Sequence, residues 1–155
     1  MAAKVRPLFV YGSLLSPEVL RVLLRRVPRM RSASIRGFRR YGLLERPYPA
    51  VCADAEGVVK GEIIFDLEPS EAEVLDDFEG DEYGKVQVEA TIDGAEGTSI
   101  EVDLYAYAQR TADMQGQWSY DAFRDAHLES YVTMCEEYIA DANSRGIGTL
   151  FSDRD

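Results

Sequence analysis

The sequence predicts an α+β fold in which a mixed, bent, barrel-like β-sheet carries a few flanking helices. Three patterns lead to this prediction: an apolar strand at residues 7–12 that runs directly into a helix, an alternating hairpin pattern at residues 83–108, and a long amphipathic stretch at residues 119–143. The chain has 155 residues, of which 46% are hydrophobic, and no long linker. We therefore expect a single globular domain over residues 1–155.

The first helix has the best-marked start in the sequence. The strand "PLFVYG" is followed by Ser16, a residue type that caps helices, then by Pro17 at the first helical position and Glu18 near the positive end of the helix dipole. The apolar pattern continues to about Arg26. We expect a strand and a helix joined by an unusually tight turn at Tyr11-Gly12-Ser13.

Two further strands and a short acidic helix follow. The stretches "SASIRGFRRYGL" and "GVVKGEIIFDL" have strand composition, with four glycines expected at bulges or turns: Gly37, Gly42, Gly57 and Gly61. The stretch "PSEAEVLDDFEG" predicts a helix that ends at Gly80, since glycine is the preferred residue just beyond a helix.

The second half of the chain predicts a hairpin and a long helix. Apolar residues alternate with polar ones on both sides of the turn "DGAEG", as expected for two antiparallel strands. In the C-terminal stretch, seven side chains share one broad helical face: Phe123, Leu128, Tyr131, Val132, Cys135, Tyr138 and Ile139. We expect this helix to pack across the sheet and to stop before Gly146.

Charge and hydropathy exclude several partners. The formal net charge is −11, from 28 acidic and 17 basic residues, and such a field repels the phosphate backbone of nucleic acids. The basic segment at residues 25–40 could serve an anionic small molecule, but a solvated rim is the better interpretation. No stretch is long and apolar enough for a membrane span or a signal peptide, so a soluble cytosolic protein is expected.

Few residues are available for metal or nucleophilic catalysis. His127 is the one histidine, and its helical spacing favours a packing or surface role over that of a general base. Cys52 and Cys135 lack the spacing of a metal site or a disulfide framework, so they are expected to be free buried thiols. We expect neither a metal nor another cofactor.

The tight turn is a candidate anion site. A Gly-Ser turn that enters a helix leaves several backbone N–H groups without a helical partner, and these can bind a carboxylate or a phosphate at residues 12–15. On spacing alone, a purely geometric role for Gly12 and Ser13 is the better interpretation. A P-loop is excluded because the chain has no GxxxxGK[ST] motif here.

An acidic cluster ends the short helix. Negative charges are unfavourable at a helix C-terminus, so the cluster is either a solvated rim or a site where one carboxyl has a raised pKa for proton transfer. Its members are Asp76, Asp77, Glu79, Asp81 and Glu82. Glu79 stands out because it lies between Phe78 and Gly80 at a turn, where its side chain could point inward.

These segments together resemble the gamma-glutamylcyclotransferase-like superfamily, and most closely its AIG2-like branch. The resemblance covers residues 7–108 in order and spacing, through "FVYGSLL", "IRGFRRYGLLERPYPAV", "VVKGEIIFDL", "EVLDDFEGDEYGKVQVEATI" and "VDLYAY". It implies a small fold around a bent, barrel-like sheet, with the YGS loop and a buried glutamate lining one cavity.

The resemblance also implies roles for individual residues. The substrate-binding loop, whose backbone amides hold the carboxylate of a γ-glutamyl group, falls on Tyr11, Gly12, Ser13, Leu14 and Leu15. The catalytic acid/base falls on Glu79. Tyr83 and Tyr105 match aromatic positions near the pocket less securely, and a core role suits each of them equally well. The C-terminal helix lies outside the shared motifs.

The implied reaction is the conversion of a γ-glutamyl amide or dipeptide to 5-oxoproline and a free amine or amino acid, a step of glutathione metabolism in part of the superfamily. Two alternatives stay open. The same pocket could perform another acyl or amide transfer, or the fold could serve as a non-catalytic binding or stress-response protein, which a closed pocket would favour. The substrate and the oligomeric state are not determined by these motifs.

Overall fold

The computed structural model describes residues 5–95, 97–109 and 113–147. Within them the chain forms six strands: β1 (Leu8–Val10), β2 (Met30–Leu43), β3 (Pro49–Ile64), β4 (Tyr83–Ile92), β5 (Ser99–Tyr107) and β6 (Met114–Gln115). The α-helices of this part are α1 (Pro17–Leu24), α2 (Pro69–Glu79) and α3 (Tyr120–Ser144), and two short 3₁₀ helices cover Ser13–Leu15 and Gly80–Glu82. The ends of the predicted domain, residues 1–4 and 148–155, and Glu96 of the predicted hairpin turn lie outside the described residues.

Five strands close into a barrel. They follow the order β3-β1-β5-β4-β2, and pairing of β2 with β3 completes the ring. The β1–β5 pair is parallel and the other pairs are antiparallel, while β6 extends the sheet by pairing with the end of β2. Closure gives each of the five strands two hydrogen-bonded neighbours. The predicted α+β, barrel-like fold is confirmed.

A bulge at Gly37 bends the long β2–β3 ribbon. The pairing register shifts between Arg36 and Phe38, and Gly37 has a φ of +86°, which favours glycine. Opposite the bulge, a Cβ on Gly57 would lie 2.1 Å from the Phe38 carbonyl oxygen. The strands β2 and β3 therefore approach too closely at this point for a residue other than glycine at position 57. The strand β3 pairs with both β2 and β1.

The first two helices have the predicted boundaries with one difference. The helix α1 begins after Ser16 as expected, although the Ser16 hydroxyl makes no capping hydrogen bond, and it ends at Leu24, because Arg25 adopts a left-handed conformation with a φ of 62°. The helix α2 ends at Glu79, followed by Gly80 with a φ of 63°. Its start is anchored by the fully buried Glu71, whose two carboxylate oxygens accept hydrogen bonds of 2.7 Å from Arg26.

The hairpin and the long helix are also confirmed. The register of β4 and β5 aligns Val88 with Val102, so the apolar residues of both strands face the same side. The helix α3 is capped by Ser119, whose hydroxyl accepts a 3.2 Å hydrogen bond from the amide of Ala122. Its main contact is with α1, whereas the sequence predicted packing across the sheet. None of the helices in the described part of the chain is a candidate for crossing a bilayer.

One predicted boundary was wrong. The third strand was expected to begin at Gly57, but β3 begins at Pro49, because residues 49–53 pair with the end of β2 beyond the bulge. This added length brings Pro49 next to the tight turn. The core then divides in two: one cluster fills the barrel and includes Phe9 and Tyr11, and the other lies between the barrel and the helices.

Candidate functional site

The tight turn presents three free backbone amides. The amide of Leu15 donates a 2.9 Å hydrogen bond to the Gly12 carbonyl, and that of Ser16 donates a 3.0 Å bond to Ser13. Among the described residues, no acceptor is bonded to the amides of Gly12, Ser13 or Leu14. These three residues line a cavity, so the free amides lie at its wall.

The structure corrects the expectation for Leu15. Its amide is already bonded to Gly12, and the residue does not line the cavity. The candidate donor set therefore ends at Leu14. Gly12 is required here for space, because a Cβ at this position would lie 2.7 Å from Cδ and 2.8 Å from Cγ of Pro49, while its φ of −135° is open to any residue.

Arg40, from the basic segment of the sequence, holds the turn from outside. Its guanidinium donates a 2.9 Å hydrogen bond to the Tyr11 carbonyl and stacks 5.3 Å from the ring centre of Trp118. It does not line the cavity. The indole N–H of Trp118 in turn donates a 2.7 Å hydrogen bond to the Pro47 carbonyl. These contacts hold the Tyr11 carbonyl at the start of the turn and the Pro47 carbonyl of the neighbouring segment.

The cavity has a volume of about 240 Å³, and half of its lining residues are aromatic. Its lining residues come from the turn, from the 48–49 segment, from the end of α2 with the following turn, and from β1, β4, β5 and α3: Phe9, Val10, Tyr11, Gly12, Ser13, Leu14, Tyr48, Pro49, Phe78, Glu79, Glu82, Tyr83, Tyr105, Tyr131, Met134 and Tyr138. Glu79 and Glu82 are the acids among them, and no lysine or arginine is included.

Glu79 is placed in this cavity by the end of α2. Gly80 turns the chain directly after it, and the carboxyl group forms no hydrogen bond or ion pair with another described residue. Burial raises the pKa of this carboxyl to about 8, and the negative charges of Glu82 and Asp76 add to the shift. A carboxyl with that pKa can exchange a proton near neutral pH.

The acidic neighbours of Glu79 have other partners. Hydrogen bonds and ion pairs join Tyr105 and Lys85 to Asp76, Tyr138 and Arg145 to Asp77, and Tyr48 and Arg46 to Glu82. Asp81 is exposed. The acidic cluster therefore contains a single carboxyl that both lines the cavity and lacks a protein partner within the described ranges.

Three tyrosines expected near the pocket do line it. Tyr11 donates a 2.6 Å hydrogen bond to the Tyr105 carbonyl, Tyr83 donates a 2.7 Å bond to the Pro49 carbonyl, and Tyr105 donates a 2.6 Å bond to Asp76. Burial raises the pKa of each hydroxyl above its usual value, so all three are neutral at physiological pH. Because each hydroxyl already donates a hydrogen bond within the protein, these rings contribute the shape of the cavity wall.

The helix α3 supplies a wall that sequence reasoning missed. Tyr131, Met134 and Tyr138 line the cavity, and the Ser13 hydroxyl donates a 3.0 Å hydrogen bond to that of Tyr131. The helical pattern had placed Tyr131 and Tyr138 on a buried face but indicated only packing. The spacing of three and four residues between them was the available signal, since it places all three on one side of the helix.

The histidine and the cysteines are not among the residues that line the cavity. His127 is exposed on α3, Cys135 is buried, and Cys52 is half-buried with its thiol 3.6 Å from the sulfur of Met114. Burial raises the pKa of the Cys135 thiol to about 12, which keeps it protonated. In the described ranges, no group of three or more potential metal ligands comes together.

Comparison with known proteins gives consistent matches over most of the chain. The model of a family described as "Gamma-glutamyl cyclotransferase, AIG2-like" matches residues 8–120. AIG2-like protein D of Arabidopsis thaliana is 31% identical over 136 residues, which are 87% of this chain and 90% of that protein.

Solved structures agree with this assignment of the fold. A protein from Arabidopsis thaliana, determined in solution, superposes with a TM-score of 0.68 at 29% identity, covering 90% of this chain and 94% of that one. A structure named gamma-glutamyl cyclotransferase superposes with a TM-score of 0.62 at 15% identity and covers 84% and 86% of the two chains. At that identity the second likeness shows a shared fold.

Proposed function

The chain belongs to the AIG2-like gamma-glutamyl cyclotransferase family, and we propose that it cleaves a γ-glutamyl amide or dipeptide to 5-oxoproline and a free amine or amino acid. One observation carries the proposal. The unpartnered carboxyl of Glu79 and the free amides of residues 12–14 line the same cavity. A proton carrier and an anion site are the two elements that this reaction requires.

The free amides would bind the α-carboxylate of the substrate. Backbone N–H groups at the start of a helical segment attract anions. Within the described residues, none of these three amides donates a hydrogen bond to a protein acceptor. No lysine or arginine of the described residues lines the cavity, so the turn is the anion site that this part of the chain offers there. Residues 12–14 would thus orient the γ-glutamyl group in a fixed direction.

The bond changes are intramolecular. The α-amine of the γ-glutamyl group attacks its own side-chain carbonyl carbon, a carbon–nitrogen bond forms within a five-membered ring, and the bond to the leaving amine breaks. Holding the two groups of one molecule in reacting geometry is worth an effective concentration of roughly 10⁵ to 10⁸ M in favourable cases. The protein therefore has to supply orientation and proton transfer, and no covalent bond forms between the substrate and the protein.

Glu79 would carry the proton. The α-ammonium must lose a proton before it can attack, and the leaving amine must gain one, so a single carboxyl can act first as base and then as acid. Its raised pKa of about 8 brings it closer to that of an ammonium group than an ordinary carboxyl. The aromatic walls around it exclude water and favour transfer between carboxyl and substrate.

The size of the cavity supports a small substrate. Its volume of about 240 Å³ lies below the roughly 300–1,000 Å³ of pockets for drug-sized ligands, and suits a molecule of amino-acid size. A cavity of this size can hold a ligand. This disfavours the non-catalytic alternative, for which a closed pocket was expected. We place the activity in the cytosol, where the free thiols of Cys52 and Cys135 would stay reduced.

A screen of γ-glutamyl compounds with detection of released 5-oxoproline tests the proposal. We expect turnover of at least one γ-glutamyl amine or dipeptide between pH 6 and 9, and turnover lower by about 10² to 10⁴-fold in Glu79→Gln. Release of 5-oxoproline from no compound at any pH in this range would contradict it. Binding of the same compounds without turnover would then favour the non-catalytic alternative, and cleavage of a different amide would favour another acyl transfer.

A further inference from the structure

Two consecutive aspartates of α2 each accept a hydrogen bond from a tyrosine that lines the cavity. Asp76 accepts a 2.6 Å hydrogen bond from Tyr105 of β5, and Asp77 accepts one of the same length from Tyr138 of α3. Neither aspartate lines the cavity; both line a separate open groove on the protein surface, together with Lys85 and Arg145.

Each aspartate is paired with a cation in that groove. Lys85 Nζ lies 3.0 Å from Asp76 Oδ1, the same oxygen that accepts from Tyr105, and an Arg145 nitrogen lies 3.0 Å from Asp77 Oδ2. The Lys85 side chain is about a third exposed and that of Asp76 about half exposed. Lys85 does not line the cavity, but its ammonium also lies 3.9 Å from Asp103 Oδ2 and 5.9 Å from the centre of the Tyr105 ring.

Asp76 lies one helical turn before Glu79, on the same side of α2. Among the described residues, the groups that interact electrostatically with the Glu79 carboxyl are Glu82 of the following 3₁₀ helix, Asp76 of α2, Tyr11 after β1, Tyr83 of β4, Tyr105 of β5, and Tyr131 and Cys135 of α3. The tyrosines and the thiol are neutral because burial raises their pKa values. In the described part of the chain, the charges that act on Glu79 are thus Glu82 and Asp76, each paired with a cation.

We propose that Asp76 and Lys85 form a positioning pair for Glu79: Asp76 fixes the Tyr105 wall and presents a negative charge to Glu79, and Lys85 limits that charge from the solvent side. Glu82 is the other charge, but it lines the cavity itself, so changing it would also change ligand contacts. The importance of Glu79 for turnover rests on the proposed function. The electrostatic coupling does not, because it can be measured without a substrate.

The two members of the pair should act on Glu79 in opposite directions. Lys85→Met leaves Asp76 without its cation, so the stronger negative field favours the protonated carboxyl and raises the pKa of Glu79. Asp76→Asn keeps an acceptor for the Tyr105 hydroxyl but removes the negative charge and frees the lysine, so the pKa of Glu79 falls. We expect shifts of about half a pH unit each, the order produced by one partly exposed charge.

Carbon-detected NMR titration of the side-chain carboxyl groups measures these shifts directly, with the Glu79 signal assigned by its loss in Glu79→Gln. In active protein, the acidic limb of the kcat/KM profile should move with the same sign. Raising the salt concentration should reduce both shifts, because exposed charges are screened. Lys85→Arg should restore the wild-type titration, since it keeps the positive charge beside Asp76.

Two controls separate electrostatics from general damage. Asp77→Asn changes the adjacent aspartate, which also holds a tyrosine, and should leave the Glu79 titration within about a tenth of a unit. Lys60→Met changes the net charge as Lys85→Met does, at an exposed position of β3, and should also have no effect.

Shifts of the same sign in Asp76→Asn and Lys85→Met, or no shift in either, would overturn the pairing. If Asp76→Asn does not melt cooperatively, the test rests on Lys85→Met and Lys85→Arg. A raised pKa of Glu79 in Lys85→Met and an unchanged one in Lys85→Arg would then support the pairing. Opposite shifts in a protein that releases no 5-oxoproline would support the coupling and contradict the proposed function.

Discussion

The hydroxyl of Ser13 donates a 3.0 Å hydrogen bond to that of Tyr131, although 118 residues separate them in the chain. Both side chains are buried. The bond joins the tight turn after β1 to the long C-terminal helix, and the Tyr131 ring also packs against Tyr48, Phe78 and Phe123. The turn is therefore held in place by α3 as well as by its own backbone.

Removing the Tyr131 hydroxyl should destabilise the protein modestly. In Tyr131→Phe the ring contacts remain but Ser13 loses its partner, so we expect a loss of about 1 kcal/mol in the free energy of unfolding. Adding Ser13→Ala to this variant should cost less than Ser13→Ala alone, because the bond is already gone. Chemical denaturation of the two single variants and the double variant measures the coupling, and strictly additive losses would show that the bond contributes nothing.

The space at Gly12 should be essential for ligand binding. A side chain in Gly12→Val would overlap the ring of Pro49, whose atoms lie 2.7 and 2.8 Å from the Cβ position, and would displace the free amides. We expect no measurable binding of 5-oxoproline by calorimetry, whereas Ser13→Ala should bind it with a modest loss. Gly84→Ala is a matched control, because its nearest neighbour would lie 3.9 Å away. Equal, small losses in Gly12→Val and Ser13→Ala would contradict an amide site at this turn.

Glu79→Gln should separate binding from turnover. The change keeps size and shape but removes the exchangeable proton, so turnover should fall by about 10² to 10⁴-fold while 5-oxoproline still binds. Steady-state kinetics and calorimetry on one preparation measure both quantities. Glu129→Gln, at an exposed position of α3, should behave as wild type. Turnover by Glu79→Gln within threefold of wild type would remove Glu79 from the mechanism.

The same variant should change how stability depends on pH. The pKa of Glu79 in the folded protein is about 8, above the ordinary value of 4.5, so the folded state holds this proton more tightly than the unfolded state. The wild type should therefore lose stability relative to Glu79→Gln as the pH rises from 4.5 to 8, and the difference should level off above that. Thermal melts of both proteins across this range would show it; parallel curves would mean that the pKa is not raised.

Neither cysteine should be needed for activity. Cys52→Ala and Cys135→Ala should both keep turnover, because neither thiol lines the cavity. Cys135→Ala should unfold more easily, by about 1–2 kcal/mol, since it leaves a gap at a fully buried position. A cysteine variant that melts like the wild type but has lost turnover would contradict this assignment.

Much of the architecture could be predicted because its signals are local. Ser16 with Pro17 starts α1, Gly80 ends α2, and the alternation on both sides of residues 93–97 produces the β4–β5 hairpin. In each case the deciding interaction lies within a few residues of chain: a helix start, a left-handed glycine, or the alternating faces of neighbouring strands. The likeness of the YGS and FEG segments to a known family supplied the candidate site residues on the same local basis.

Three features could be identified only from the tertiary structure. They are the start of β3, the absence of Leu15 from the set of free amide donors, and the part of the cavity wall that α3 supplies. The segment after Pro49 becomes a strand because it pairs with β2 beyond the bulge, and Tyr131 becomes a cavity wall because α3 packs over the turn. The partners of the acids are of the same kind. The sequence singled out Glu79 by its place between Phe78 and Gly80 and by the family resemblance, but the distant tyrosines that reach Asp76 and Asp77 were not readable from it. Such pairings join residues far apart in the chain, so they depend on the closed barrel and on no local pattern.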